Sequence, residues 1–201
     1  MPQQLSAEAL RAIFPEIDEI KDPVLKRGVE EIWIEIAAEM PWNDLREIPK
    51  NTKGESGRGL VEHVRGVTQM ALALCEVAKS VQGKDYNRDM MLAASLLHDV
   101  SKPVEYEPDP AAKPGANGIR PGRQSALGKS VQHAAYATHK VWEKKLPLEL
   151  AHLVLTHTHG SGMRGKTWEA AALFYADFAD TDAALHASDS TLYIQRWQLG
   201  K

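Results

Sequence analysis

Apolar positions recur at steps of three and four along most of the chain, the spacing of one face of an α-helix. Ser6 reads as the N-cap of a short helix that runs to about Ile13 and stops at Pro15. A longer helix is expected from Asp22-Pro23, with the aspartate as cap and the proline in the first turn, ending at Pro41. Leu25, Val29, Ile32, Trp33, Ile36, Ala37 and Met40 make its apolar face, and Lys26, Arg27, Glu30, Glu31 and Glu35 its wet one, so it should cover a core. A polar loop follows from Asn43 to Gly59. The next helix, over 59–83, offers Val64, Val67, Ala71, Leu74 and Ala78 as its buried stripe, and Gly66 leaves room for another backbone to approach closely.

The run Met90-Met91-Leu92-Ala93-Ala94-Ser95-Leu96-Leu97 is apolar on nearly every side and belongs in a core. It ends on His98-Asp99, and Pro103 stops it. Residues 104–128 are irregular and rich in proline and glycine; loops of this length are usually functional lids or disordered. Helical spacing resumes from about Ser130 to Lys144, from Leu148 to about His157, and from Trp168 to about Asp180. Thr191–Ile194 reads as a short strand or as part of a closing helix. With no internal repeat and no βαβ alternation, the chain reads as all-α, with any site built between helices.

The 201 residues suffice for one good core. The expected organisation is a single domain, with N-terminal cover helices and loop over 1–57, a core over 58–182 and a tail over 183–201. A net charge of -3 speaks against sequence-independent nucleic-acid binding, which needs a basic face, but leaves room for a small anionic ligand. Cys75 is the single cysteine, so no internal disulfide forms, and its apolar neighbours mark it as a core thiol. With no secretory signal and no window approaching a membrane span, the expected location is cytoplasmic. The apolar face of the 22–40 helix suits a homodimer as well as the chain's own core.

An ionised carboxylate enters a core only when it is paired, hydrogen-bonded or metal-bound. His98-Asp99 alone would most often be a structural hydrogen bond. The other histidines change the picture. His139 lies about 240° round a helix from His133, and His152 about 140° from His157, so neither partner shares a pocket. His157 and His159 diverge by about 200° on a helix, so one of the two is expected at the site. His63, His98, Asp99, His133, His157 and Asp177 remain, from five helices or helix ends in mostly apolar surroundings. Four imidazoles and two carboxylates suit iron, manganese or zinc, and no thiolate is present to make a structural zinc site. Six donors exceed what one catalytic ion with an open position uses and form a natural set for two ions with a carboxylate between them.

The pattern His63 … His98-Asp99 … His133 … His157 … Asp177 resembles the HD superfamily of metal-dependent phosphohydrolases. The similarity extends to Leu96-Leu97-His98-Asp99-Val100-Ser101-Lys102 and to Ala176-Asp177-Phe178-Ala179-Asp180, and covers roughly Leu60 to Asp182. The intermediate histidines, with His157-Thr158-His159-Gly160, resemble the branch with dinuclear centres, and within it the bacterial hydrolases of dinucleoside tetraphosphates. The resemblance implies an HD-domain helical bundle with the metal site between its helices. It implies that His63, His98, Asp99 and Asp177 hold one ion, and that His133 and His157 hold a second, bridged by Asp99. Iron or manganese is expected first, with zinc, nickel, cobalt and magnesium also compatible.

The function so implied is cleavage of a phosphoester or phosphoanhydride in a small, anionic, nucleotide-like substrate by metal-activated water. Asp99 would bridge the ions, and Lys102, three residues past Asp99 on a continuing helix turn, would hold a phosphate oxygen. Arg120 and Arg123 of the irregular segment, His159 and Asp180 are further candidate substrate contacts; Asp180, one helix turn past Asp177, is also placed to orient one of the six side chains, against surface or capping roles for it and for His159. Two alternatives share the residue pattern: a mixed-valent di-iron oxygenase, marked by oxygen consumption, and a non-catalytic ligand-binding module, marked by absence of metal.

Overall fold

The apolar run ahead of His98 is the axis on which the other helices are stacked. The computed structural model describes residues 5–52, 58–115 and 117–198. Helix α1 (Ala7–Ile13) starts where the Ser6 hydroxyl accepts from the Ala9 amide, and a 3₁₀ turn, Pro15–Glu19, follows. Helix α2 (Pro23–Glu39) is capped by Asp22, whose carboxylate accepts from the amides of Val24 and Leu25. Helix α3 (Leu60–Gln82) ends on Gly83 at φ +66°, the left-handed conformation glycine adopts without a Cβ penalty. Helix α4 (Arg88–Leu97) begins at an Asn87 cap, and every residue from Met91 to Leu97 is buried.

Helix α4 packs on α2 and α3, so the apolar face of α2 is spent on its own core. Trp33 of α2 is fully buried, and its indole N–H donates to the Leu96 carbonyl at 3.0 Å, at the last turn before His98. Past a turn at 98–101 come α5 (Lys102–Glu105) and a hairpin of β1 (Tyr106–Pro108) and β2 (Gly122–Gln124), paired antiparallel with Tyr106 opposite Gln124. Then follow α6 (Ala126–Ser130), α7 (His133–Glu143), α8 (Leu148–Thr156), α9 (Trp168–Ala187) and α10 (Tyr193–Gln198). α8 packs on α7, α4 and α9, and α9 lies along α3. The architecture is all-α with one small hairpin. Among the described residues, no helix is long and apolar enough to cross a membrane.

The structure corrects several expectations. Leu74 is 38% exposed, and Cys75 holds the inward position in its place, because the buried stripe of α3 drifts by one residue along its length. Pro103 does not stop the apolar helix; that helix ends at Leu97, and Pro103 sits in the first turn of α5, where a proline needs no amide hydrogen bond. Val131 and Gln132 are extended, so the helix expected from Ser130 begins at His133. α9 continues beyond Asp180 to Ala187, and of the two readings of the tail, strand or closing helix, the helix forms, as α10. The segment after Asn43 is less polar than it reads: Leu45 and Ile48 are buried, and the Lys50 amide donates to the Arg58 carbonyl. Residues 53–57 of that segment lie outside the described residues.

Candidate metal centre

Five elements deliver the six candidate side chains. His63 is in the first turn of α3, His98 and Asp99 follow the last turn of α4, His133 opens α7, His157 caps α8, and Asp177 lies midway along α9. His63 and His98 bring their Nε2 atoms to 3.1 Å, and Asp177 Oδ1 stands 3.2 Å from His63 Nε2. On the other side, His133 Nε2 and His157 Nε2 are 3.2 Å apart. Asp99 stands between. Its Oδ2 lies 3.3 Å from His63 Nε2 and 3.7 Å from His98 Nε2, while its Oδ1 lies 3.4 Å from His133 Nε2 and 3.7 Å from His157 Nε2. Two groups that could hold a metal ion result: His63, His98 and Asp177, and Asp99, His133 and His157.

The second nitrogen of each ring decides which lone pair is free. His98 Nδ1 is 2.6 Å from the Ser95 carbonyl, and His157 Nδ1 is 2.6 Å from the Val154 carbonyl. A carbonyl only accepts, so both Nδ1 atoms carry the proton and both Nε2 atoms face the centre as lone pairs. His63 Nδ1 donates to Asp180 Oδ2 at 2.6 Å. Asp180 also accepts from the guanidinium of Arg58, whose other nitrogen donates to the Asp180 carbonyl. His133 Nδ1 lies 3.1 Å from the side-chain amide of Gln132, which caps α7.

Two cations, Lys102 buried and Lys50 half-buried, bracket the carboxylates. Lys102 is 7% exposed, 3.0 Å from Glu105 Oε2 and 3.2 Å from the Tyr106 hydroxyl. Burial opposes its charge, but Asp99, Tyr106 and Glu105 outweigh burial and raise its pKa. It reaches the site from the start of α5, since a turn rather than a continuing helix separates it from Asp99. Lys50, whose Nζ donates to the Thr181 hydroxyl at 3.3 Å, acts from the opposite side on His63 and Asp177.

The charges follow this layout. Burial raises and the nearby cations and imidazoles lower the pKa of Asp99 and Asp177, and the lowering prevails. His98 is pushed down to about 4, chiefly by burial. Burial and Lys50 lower His63, but Asp177, Asp180 and Asp99 outweigh them and raise it to about 9. Among the described residues the buried Asp177 Oδ1 makes no hydrogen bond, although His63 Nε2 stands 3.2 Å from it. An orphaned carboxylate oxygen among inward-facing imidazole lone pairs is a donor set that a divalent cation fits.

The remaining sequence candidates fall elsewhere. Asp180 is buried and occupied by His63 and Arg58, the placement its orienting role calls for rather than a substrate contact or a surface or capping carboxylate. His159 stands edge-on to Phe174 and Phe178, beside a cavity of about 220 Å³ away from the six. Arg120 pairs with Glu47 at 3.6 Å, and Arg123 with Glu107 at 2.7 Å across the hairpin. His139 faces Glu143, and His152 accepts from the Lys166 amide. Gly66 does admit a close neighbour, but it is the Asp180 side chain rather than a backbone: a Cβ there would stand 2.3 Å from Asp180 Oδ1. Lys50 and Arg58 carry no sequence signal. They belong to the loop ahead of α3, which closes on itself at the isolated bridge between Pro49 and Gly59 and reaches α9 through the Lys50–Thr181 and Arg58–Asp180 bonds.

Residues 60–185 match the family model described as the HD domain. Over 128 residues the chain is 33% identical to the dihydroneopterin 2′,3′-cyclic phosphate phosphodiesterase of Methanocaldococcus jannaschii. That stretch covers 61% of this chain and 46% of the relative, so the chain spans a little under half the length of the curated relative it matches. No solved structure matches the chain.

Proposed function

The chain belongs to the HD domain family, and from that premise we propose that it is a metal-dependent phosphohydrolase acting on a nucleotide-like phosphodiester or phosphoanhydride. One observation carries the reading: the two oxygens of Asp99 are divided between two separate groups of imidazoles. A carboxylate so placed holds two cations at once. His63, His98, Asp177 and Asp99 Oδ2 would take one ion, and Asp99 Oδ1, His133 and His157 the other, with iron or manganese the expected metals. When bound, such a pair of ions supplies a hydroxide at neutral pH and a clamp on the oxygens of an in-line displacement at phosphorus.

The chain's own residues do the rest. His98 and His157 present fixed Nε2 lone pairs because backbone carbonyls hold their Nδ1 protons. Asp180 fixes the ring of His63, and Arg58 fixes Asp180. Lys102, steadied by Glu105 and Tyr106, offers a positive charge on the Asp99 side for the non-bridging phosphate oxygens. Lys50 offers a second on the Asp177 side. The N-terminal segment is read as one unit with the 58–182 core, since it supplies both Lys50 and the Trp33 bond behind His98.

The relative's phosphodiesterase chemistry on a cyclic phosphate supports the same reaction class here. Metal analysis of the purified chain, followed by chromatographic assay of the hydrolysis products of cyclic nucleotides, dinucleoside polyphosphates and phosphomonoesters, tests it. Metal-dependent hydrolysis of a diester or anhydride is the expected result. Oxygen uptake by the iron-loaded protein with no hydrolysis would overturn it in favour of an oxygenase, and a protein that neither retains nor is stabilised by metal would overturn it in favour of a binding module.

A further inference from the structure

A cavity of about 680 Å³ opens on the hairpin side of the centre, a size typical of small-molecule sites. Its lining includes neighbours of the residues that flank the metal centre. Tyr106 lines it, and the Tyr106 hydroxyl touches Lys102. Asn51, next to Lys50, lines it as well, and so does Leu185, one turn beyond Thr181 on α9. Arg123, Lys129 and Arg196 complete the charged part of the lining, and among the described residues no carboxylate joins them. Glu107 offsets Arg123 alone. Arg196 is held in place, its guanidinium over the Tyr193 ring at 4.6 Å and one nitrogen donating to the Thr191 carbonyl at 2.9 Å.

A concave site with an excess of cations beside a centre that processes phosphate draws an anion to itself. The lysines flanking the six candidate residues already answer the phosphate being cleaved. Lys129 and Arg196 line the cavity and make no ion pair among the described residues, so their charges are open to an anionic group of a bound ligand. We propose that this cavity is a second anion subsite, and that the substrate is a nucleotide-like diester or anhydride carrying a further phosphate that is not cleaved. Asn51 and Arg196 lie outside the 60–185 match, so the subsite belongs to this chain's own additions to the domain. The inference rests on the phosphohydrolase reading for the identity of the neighbouring site.

Calorimetric titration of the metal-loaded full chain with adenosine 3′,5′-bisphosphate and with adenosine 3′-monophosphate tests it without needing turnover. The bisphosphate should bind about tenfold tighter, the worth of one added charge-assisted contact. That advantage should shrink in high salt and disappear in the Lys129→Ala/Arg196→Ala double variant. Should the Arg196 change unfold α10, Lys129→Glu alone should still abolish the advantage. Equal affinities in the wild type, or an advantage that survives these variants in folded protein, overturns the subsite. If no ester is hydrolysed while the bisphosphate advantage stands, the activity falls and the subsite does not.

Discussion

Replacing Asp180 with alanine should loosen metal binding although it leaves all six converging side chains in place. The Asp180 carboxylate accepts the His63 Nδ1 proton at 2.6 Å and is 4% exposed. A hydrogen bond to a charged group contributes about 1.5–3 kcal/mol, and loss of the partner behind a ligating histidine typically costs 10–100-fold in metal affinity, or about 1.4–2.8 kcal/mol. The two estimates agree. A second effect opposes the first: Asp180 helps raise the pKa of His63, so its removal lessens competition by protons for Nε2 at neutral pH. The net loss should therefore sit at the lower end, about tenfold. Chelator-buffered manganese titration measures it, with a thermal melt of the metal-stripped variant as the check on folding. Asp180→Asn keeps an acceptor for His63 but not the charge facing Arg58, and should lose less. Wild-type metal affinity in a folded Asp180→Ala protein would refute the idea that Asp180 orients His63.

Gly66→Ala would push the same carboxylate aside from the opposite direction, since the new Cβ would stand 2.3 Å from Asp180 Oδ1; manganese affinity should fall by a factor comparable to that of Asp180→Ala in the same titration. Asp99→Ala should abolish metal retention and hydrolysis together, read by metal analysis and a product assay; a variant with a full metal complement and turnover would remove Asp99 from the bridging position. Trp33→Phe leaves the buried Leu96 carbonyl without its donor and should cost about 1–3 kcal/mol in urea unfolding. In protein stripped of metal by a chelator, His63 has a folded pKa of about 9 against an ordinary 6.5. Its contribution to stability should be complete below about pH 6.5 and lost as pH rises through 9, so urea midpoints should fall between pH 7 and 10, and fall less in Asp180→Asn.

The periodic parts of the chain could be read directly. The face of α2, the buried run of α4 and the positions of the six candidates follow from 3.6-residue geometry, which also set His139 and His152 aside. What escaped depends on contacts between distant segments. Lys50 and Arg58 look like charges in a polar loop until the loop folds back on α9. The spacing of Asp180 to Asp177 allows it to orient one of the six, but fixes only its face of the helix and not the arrival of His63 from α3. The hairpin at 106–124 escaped because its strands are three residues each, too short for alternation to register.

His98 and His157 repeat one local device. Each follows the last turn of its helix, and each hands its Nδ1 proton to a carbonyl three residues back, among the four that a helix end leaves without a full set of partners. Where the helix stops thus dictates which ring nitrogen keeps its hydrogen. Lengthening α4 or α8 by a single residue would move that carbonyl out of step with the ring and turn the wrong edge of the imidazole inward, with every histidine still in the sequence. Helix length at these two points is therefore as strict a requirement as residue identity, and a one-residue insertion there should silence the centre as surely as deleting the histidine.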